Sequence, residues 1–344
     1  MGSMQTPRID STPKSETCCT GESSRRCKRL LRASAALCVV VSVIYSWQPD
    51  WLAPVTLVPA WCWLVPAFTL TAWGTCRKYK LWSLVVLMLW ASYTVAFVEE
   101  ARSLMRSRSG PTSDWKSARA EERGIRVVSL NCFAANSRAA EEVAKWEPDI
   151  VLLQESPSRE HLRHLSQELY GSDGTFLWGG DTSILAHGRI EPGNVDPNSH
   201  FVHATATLPN GLKVNIVSVR LSPPVFRLDF WTPGFWNDHR NKRIKHRQQI
   251  LEVAQRIEGI STPLIAGGDF NAPPADAALD SLRRQLSDTF LAAGHGWGNT
   301  GTNGWPLFRV DQIWASAHFH AASVTAQKTI HSDHRMVVCD LILK

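Results

Sequence analysis

The residues of this chain that could do chemistry sit where apolar runs stop. Leu264-Ile265-Ala266 leads into Gly267-Gly268, and Asp269, Phe270 and Asn271 follow before Pro273-Pro274. The apolar run reads as a buried strand and the glycine pair as a place where the backbone can turn tightly. If the chain stays extended beyond it, residues two apart face one side, so Asp269 and Asn271 project together with Phe270 turned away. A carboxylate beside an amide suits an attacking water and a phosphoryl oxygen. A strand–helix turn whose Asp and Asn merely satisfy backbone donors has the same pattern. The other strand ends must decide between them.

They repeat the arrangement. The β-branched run Ile125–Leu130 ends at Asn131, and Asp149–Leu153 ends at Gln154-Glu155. Glu155 with Asn131 makes a candidate site for a hard cation, because Mg2+ prefers one or two carboxylates completed by waters and phosphate oxygens. The run Phe308–Trp314 carries Asp311 into apolar surroundings, where an unpartnered carboxylate is costly. Ile330–Arg335 places Asp333 and His334 just before the last strand, Met336–Ile342. His334 is a candidate acid or electrophile, with Asp311 as the carboxylate that needs a partner. One more strand, Leu212–Val219, ends at Arg220.

The elements that must position these groups alternate between helical and extended patterns. Helices are expected over Ser137–Trp146, Ser158–Leu169, Asn241–Ile257 and Ala275–Leu286. Short strands fall near Phe176–Trp178 and Thr182–Ala186, and Pro209-Asn210-Gly211 turns Phe201–Leu208 back into Leu212–Val219. Residues 294–304 read as a Gly/Asn-rich loop. The segment 226–247 is unusual, with Phe226, Phe230, Trp231, Phe235 and Trp236 followed by Arg240, Lys242, Arg243, Lys245 and Arg247. It reads either as a lid or lipid-facing foot, or as a loop whose aromatics cap the core. Cys132 and Cys339 adjoin strands and read as buried thiols, though a disulfide between them remains open.

The 344 residues and net charge of +6 divide unevenly near residue 100. Residues 1–28 are polar and basic, expected to be irregular, and carry the unremarkable thiols Cys18, Cys19 and Cys27. Uncharged runs follow at Ala33–Trp47, Trp51–Cys76 and Leu81–Val98. The last two have about the 20 apolar residues a membrane crossing needs, and the first reaches that length with Leu30, Leu31 and Arg32. A three-helix anchor over 29–98 is expected, then a polar linker over 99–123 and a soluble domain over 124–344. Arg25, Arg26, Lys28, Arg29 and Arg32 precede the first run, and Arg77, Lys78 and Lys80 separate the second from the third. The positive-inside rule then puts the N-terminus in the cytoplasm and the soluble domain outside the inner membrane, against the milder contrary vote of Arg102, Arg106 and Arg108.

Taken in order, Asn131, Gln154-Glu155, Gly268-Asp269-Phe270-Asn271, Arg309-Val310-Asp311 and Ser332-Asp333-His334 resemble the motifs of the endonuclease/exonuclease/phosphatase superfamily over residues 124–344. The three-span anchor with an extracytoplasmic domain resembles members of the VanJ type, and the soluble part also resembles YafD-type members. The resemblance implies an α/β (α+β) four-layer sandwich of two packed mixed sheets flanked by helices, and a hydrolase of phosphate esters. It implies Mg2+, or Mn2+, held by Glu155 and Asn131 with Asp333 nearby. Asp269 would orient or deprotonate water, Asn271 would hold a phosphoryl oxygen, and His334, positioned by Asp311, would stabilise the developing charge. Many members carry histidine where this chain has Arg220, a permanent cation suited to gripping phosphate. The expected partners are the bilayer and a phosphate-containing substrate, with a lipid pyrophosphate or a nucleic acid as alternatives and no obligate protein partner. An inactive binding module on the same fold is the remaining reading.

Overall fold

The structure, a computed structural model, describes residues 21–75, 77–106, 113–193 and 199–344. Residues 1–20, with Cys18 and Cys19, and 107–112 of the expected linker lie outside the described residues. Among those described, strands form wherever β-branched and apolar residues cluster. They are β1 (Gly124–Asn131), β2 (Ile150–Gln154), β3 (Gly174–Trp178), β4 (Thr182–His187), β5 (Arg189–Pro192) and β6 (Phe201–Thr207). The second half supplies β7 (Lys213–Arg220), β8 (Leu264–Asp269), β9 (Ser287–Asp288), β10 (Asp311–Ala315), β11 (Phe319–Gln327) and β12 (Met336–Leu343). They make two six-stranded sheets, β11-β12-β1-β2-β4-β3 and β5-β6-β7-β8-β10-β9. Each sheet is mixed, because β1–β2 and β7–β8 are parallel while the other pairs are antiparallel.

The sheets pack face to face. Val127, Ile150, Leu152 and Ile184 from one meet Ala204, Val214, Ile216, Ile265 and Ile313 from the other. Alternate residues point outward, since successive side chains of a strand face opposite ways. Val128, Leu130, Val151 and Leu153 thus meet Val143, Leu162 and Leu165 of the covering helices. On the opposite outer face Val217, Val219 and Ala266 meet Ile250, Val253 and Ile257 of the helix Pro233–Ile257. The strands are apolar on both faces because both faces are covered, and each such fully buried side chain contributes roughly 1.5–3 kcal/mol. The four-layer sandwich expected from the resemblance is the observed architecture.

Some elements differ from expectation. The glycine pair is not a turn, since β8 runs through both residues to Asp269. A Cβ on Gly268 (φ 142°) would lie 1.9 Å from the Val219 carbonyl oxygen, and one on Gly267 would lie 2.7 Å from Leu152 Cδ1. The glycines therefore let a neighbouring strand and the opposite sheet approach closely. Helix Pro233–Ile257 starts two turns early, with Pro233 in its first turn and the Thr232 hydroxyl accepting from Phe235 N. The helix expected over 275–286 is only two short turns, Ala277–Leu279 and Asp280–Arg283. Cys132 and Cys339 are separate buried thiols, so no disulfide joins them.

The described residues divide into two compact units: the residues up to Val40 with Leu64–Ser92, and Val41–Trp63 with Tyr93–Lys344. The first helix begins at Gly21 and reaches Trp47, so the polar segment up to residue 28 is helical from there. Within the first unit, Ser34 bonds the Thr71 hydroxyl at 2.9 Å and accepts from Trp90 Nε1 at 3.1 Å, the kind of polar pairing that joins helices in lipid. Glu22–Trp47 and Lys80–Phe97 are long and apolar enough to cross a membrane. The stretch expected as a single second span is bent by 80° between Asp50–Leu57 and Ala60–Gly74, at Val58-Pro59, where proline lacks the helical donor. Counting that bent pair as one span gives three. The expected linker is also partly helical, as Glu99–Met105 and Ser113–Ala120, with Trp115 buried beside Ile342.

Candidate active site

Topology gathers the expected residues at one end of the sandwich. Asn131 ends β1 in register with Gln154 of β2, and Arg220 ends β7 in register with Asp269 of β8. Asp311 begins the antiparallel β10 directly opposite Asp269, and His334 lies just ahead of β12, which runs antiparallel to β1. The ends of parallel strands and the beginnings of their antiparallel neighbours thus share one rim.

At its centre the His334 Nδ1 lies 2.7 Å from Asp311 Oδ2, with the Asp311 side chain fully buried. Asp269, Asp311 and His334 present polar atoms within 4.8 Å of one another. Burial and the neighbouring Asp311 push the Asp269 carboxyl up to about 6, with His334 opposing. Burial would depress the imidazole, but Asp311, Asp269 and Asp333 outweigh it and raise it to about 10. His334 thus holds its proton more strongly than a free histidine does, because carboxylates surround it. The other oxygen of Asp311, Oδ1, is buried without a hydrogen-bond partner among the described residues.

Asn131 bridges the two halves. Its Nδ2 donates to Asp269 Oδ2 at 3.1 Å and to Glu155 Oε1 at 3.3 Å, while its Oδ1 accepts from Phe133 N. Glu155 lies at a left-handed backbone position (φ 46°) and also accepts from Ala134 N at 2.6 Å. Burial would raise its carboxyl, but the Ala134 N–H and Arg220 prevail and hold it below the usual range. The Glu155 and Asp333 carboxylates are the oxygen ligands a hard divalent cation takes, whereas Asn131 turns its Nδ2 to Glu155 and its Oδ1 to Phe133 N, so it would add an oxygen only with its amide turned over. Asp333 is exposed. Burial raises its carboxyl, as do Glu155 and Asp311, against His334, and no direct bond to Glu155 or Asn131 occurs among the described residues.

Asn271 reaches Asp269 by a route the extended-chain expectation misses. The strand stops at Asp269, Asn271 turns left-handed (φ 45°), and its N–H bonds Asp269 Oδ1 at 2.9 Å. This is the local turn in which aspartate caps the residue two on. The Asn271 Nδ2 donates to Leu221 O at 2.9 Å and to Asp269 Oδ2 at 3.2 Å. Phe270 is fully buried on the other side.

Arg220 is committed as well. It donates to both oxygens of Asp181 (3.1 and 2.8 Å) and to Glu155 Oε1 at 2.8 Å, while its Nε is buried without a partner among the described residues. Asp181 has no signal in the sequence, because it sits in a turn between two hairpin strands and acquires a role only through the fold. Two other residues hold the rim together. The Ser332 hydroxyl donates to Asn131 O at 2.6 Å and accepts from His334 N, and Thr300 Oγ1 accepts from Asp311 N at 3.0 Å.

The aromatic–basic segment divides: Phe235 and Trp236 are half-buried, with Phe235 against the His239 ring, whereas the aromatics before them are exposed. Phe226 is 88% exposed, Leu228 89%, Phe230 64% and Trp231 74%. Arg243 and Arg247 are tied within the fold, to Asp276 and Asp50. Arg309, part of the expected motif, is buried away from the rim between Glu99 and Asp288.

A family model described as the Endonuclease/Exonuclease/phosphatase family matches residues 128–334. Among solved structures, an endonuclease/exonuclease/phosphatase family protein from Bacteroides thetaiotaomicron aligns over 64% of this chain and 98% of its own, with a TM-score of 0.50 at 13% identity. The endonuclease/exonuclease/phosphatase from Beutenbergia cavernae aligns over 64% of this chain and 72% of its own, with a TM-score of 0.50 at 17% identity. No curated protein matches the chain.

Proposed function

We propose that this chain, which belongs to the Endonuclease/Exonuclease/phosphatase family, is a membrane-anchored, Mg2+-dependent hydrolase of a phosphate ester or pyrophosphate, with a lipid-linked substrate at the outer face of the inner membrane. The observation that carries this reading is the hydrogen-bonded line Glu155–Asn131–Asp269, which faces the Asp311–His334 ion pair. It sets a cation-type carboxylate, a candidate base and a charged donor side by side.

In this reading Glu155 and Asn131, with Asp333 beside them, hold the divalent cation, which neutralises charge on the phosphoryl oxygens when bound. Asp269 orients the attacking water and accepts its proton, and Asn271 fixes that carboxylate; its amide would reach a phosphoryl oxygen by exchanging the Leu221 carbonyl for it. His334, kept cationic by Asp311, donates to an equatorial oxygen as charge develops there. Fixed donors of this kind cost no reorganisation at the moment of reaction. Arg220 supplies phosphate affinity by exchanging one carboxylate contact for a substrate oxygen. The exposed Phe226–Trp231 loop, which leaves the rim directly after Arg220, rests in the lipid interface.

The test is one panel on the full-length protein in lipid nanodiscs, with Mg2+ and with EDTA, against bis(4-nitrophenyl) phosphate, sphingomyelin, a polyprenyl pyrophosphate and plasmid DNA. EDTA-sensitive turnover of the lipid pyrophosphate above the others is expected. Preferential cleavage of DNA would replace the lipid reading with an anchored nuclease, and no turnover of any substrate would leave a binding module on this fold. A reporter fused after Lys344 that is active only in the cytoplasm would overturn the orientation.

A further inference from the structure

A cavity of about 670 Å3 opens beside the rim without including any of the residues assigned to it above. Tyr45 and Phe97, near the C-terminal ends of the two membrane-length helices, line it with their ring centroids 5.9 Å apart. The break at Val58-Pro59 contributes to the same side. Opposite stand Pro273 and Pro274, which follow the Asp269–Asn271 turn, and Phe308, which precedes Asp311. Two of the segments that carry catalytic candidates thus also wall this cavity.

Its chemistry is that of a hydrocarbon site. Val58, Leu291, Leu307 and Phe308 line it while remaining 37%, 44%, 44% and 38% exposed. Single exposed apolar side chains are ordinary, but several converging on one concavity mark a ligand site. Of its charged lining, Arg309 donates to both oxygens of Glu99 at 2.8 Å and pairs with Asp288, and Arg283 pairs with Asp280. Glu100 is buried against Asn299 at 3.1 Å, and burial pushes its carboxyl up. Arg102 adds a cation to the lining. The rest of the surface left for a ligand is mostly apolar, and the volume falls in the range of roughly 300–1,000 Å3 typical of single-ligand sites.

We propose that this cavity receives the hydrocarbon chain of an amphiphilic phosphate substrate, whose head group reaches the rim past the Asp269–Pro274 turn. The proposal rests on the hydrolase reading above. An acyl chain of a bilayer lipid offers the same chemistry, and the experiment separates the two sources. Full-length protein in phosphatidylcholine nanodiscs is assayed with 4-nitrophenyl ethyl, butyl and octyl phosphate in the presence of Mg2+. A fully buried methylene is worth up to about fourfold in affinity, so KM should fall at least tenfold from the ethyl to the octyl ester, by the same conversion. Leu291→Trp and Ala96→Trp, which fill the cavity, should abolish that advantage and leave ethyl-ester kinetics unchanged. An advantage that survives both substitutions comes from partition into the bilayer and overturns the proposal, whereas absence of turnover with every ester overturns the hydrolase reading itself.

A second measurement needs no turnover and covers the case in which the tryptophan variants fail to fold. A diazirine-bearing octadecyl phosphonate should label the peptides containing Leu291 or Phe308, and unlabelled octadecyl phosphonate should compete where excess phosphatidylcholine does not. Labelling elsewhere, or equal competition by phosphatidylcholine, refutes a substrate-chain site.

Discussion

Replacing Asp311 by Asn isolates the charge that the site depends on. Asp311 is fully buried with its Oδ2 2.7 Å from His334 Nδ1, and it heads the influences that raise the imidazole against the effect of burial. A rise from 6.5 to about 10 favours the imidazolium by on the order of 5 kcal/mol, at roughly 1.4 kcal/mol per unit. Asn keeps the shape and loses the charge, so the imidazole should titrate well below its value in the unsubstituted protein, with Asp269 and Asp333 still raising it. The Asp269 carboxyl, which Asp311 also pushes up, should fall. Losing one preorganised charged donor costs about 100- to 1,000-fold in kcat. The assay is the pH profile of kcat for bis(4-nitrophenyl) phosphate at saturating Mg2+, from pH 5 to 10.5. The basic limb should lie near 10 in the unsubstituted protein and move to lower pH in the variant, with activity partly regained on acidification. The pair also stabilises the fold, because the folded imidazole keeps its proton to about pH 10 while an unfolded one releases it near 6.5. That stabilisation is complete below about pH 6.5 and is lost as pH rises through the folded value. An Asp311→Asn protein with unchanged kcat at pH 8 and an unmoved basic limb would refute the assignment.

Gly268→Ala must place a Cβ 1.9 Å from the Val219 carbonyl at a φ of 142°, so it should cost at least about 4 kcal/mol; folded, active protein with an unchanged Tm would contradict the close-approach account. Arg243→Met leaves Asp276 buried (3% exposed) without its guanidinium, a loss of about 3–5 kcal/mol, and Arg243→Met with Asp276→Leu should recover most of the lost Tm. If the double variant melts no higher than the single one, the ion pair is not the cause. Glu155→Gln should raise the Mg2+ concentration for half-maximal activity at least about 100-fold, whereas an unshifted Mg2+ titration would place the cation elsewhere.

Much of the rim was legible because Asn131, Arg220, Asp269 and Asp311 end or begin strands and Glu155 follows one, and strand ends are marked in sequence by the change from apolar to polar. Asn131, Glu155, Asp269 and Asp311 all carry that mark. What remained hidden depends on contacts distant in sequence. Nothing around Asp181 indicates that it would hold Arg220, 39 residues away, and the strand β5 lacks an apolar pattern because three of its four residues are exposed. The glycine pair misled in an informative way. Glycine permits a turn and close approach equally, and only the neighbouring Val219 and Leu152 decide which is needed. Tertiary packing also shortened the helix after Pro274, where the Asp276 side chain caps Ala278 N and ion-pairs with Arg243.

Those contacts belong to a larger set that ties the rim to the segments around it. A flexible tether over 99–123 would let the rim drift far from the anchor and meet any soluble polymer. The chain instead clamps the residues after the Asp269–Asn271 turn onto the segment between its apolar helices. The Gln48 side chain donates to Ala275 O at 2.7 Å and accepts from Ala277 N at 2.9 Å. Arg243 adds bonds to Thr56 Oγ1 and to the Gln48 carbonyl, and Arg247 holds Asp50 with two. Arg309 does the same near Asp311 through Glu99, which directly follows the last membrane-length helix. Each clamp is short in reach and several are shielded from water, where charged pairs are screened least. The turn after Asp269 is thus fixed to residues 48–56, and the strand of Asp311 to residue 99.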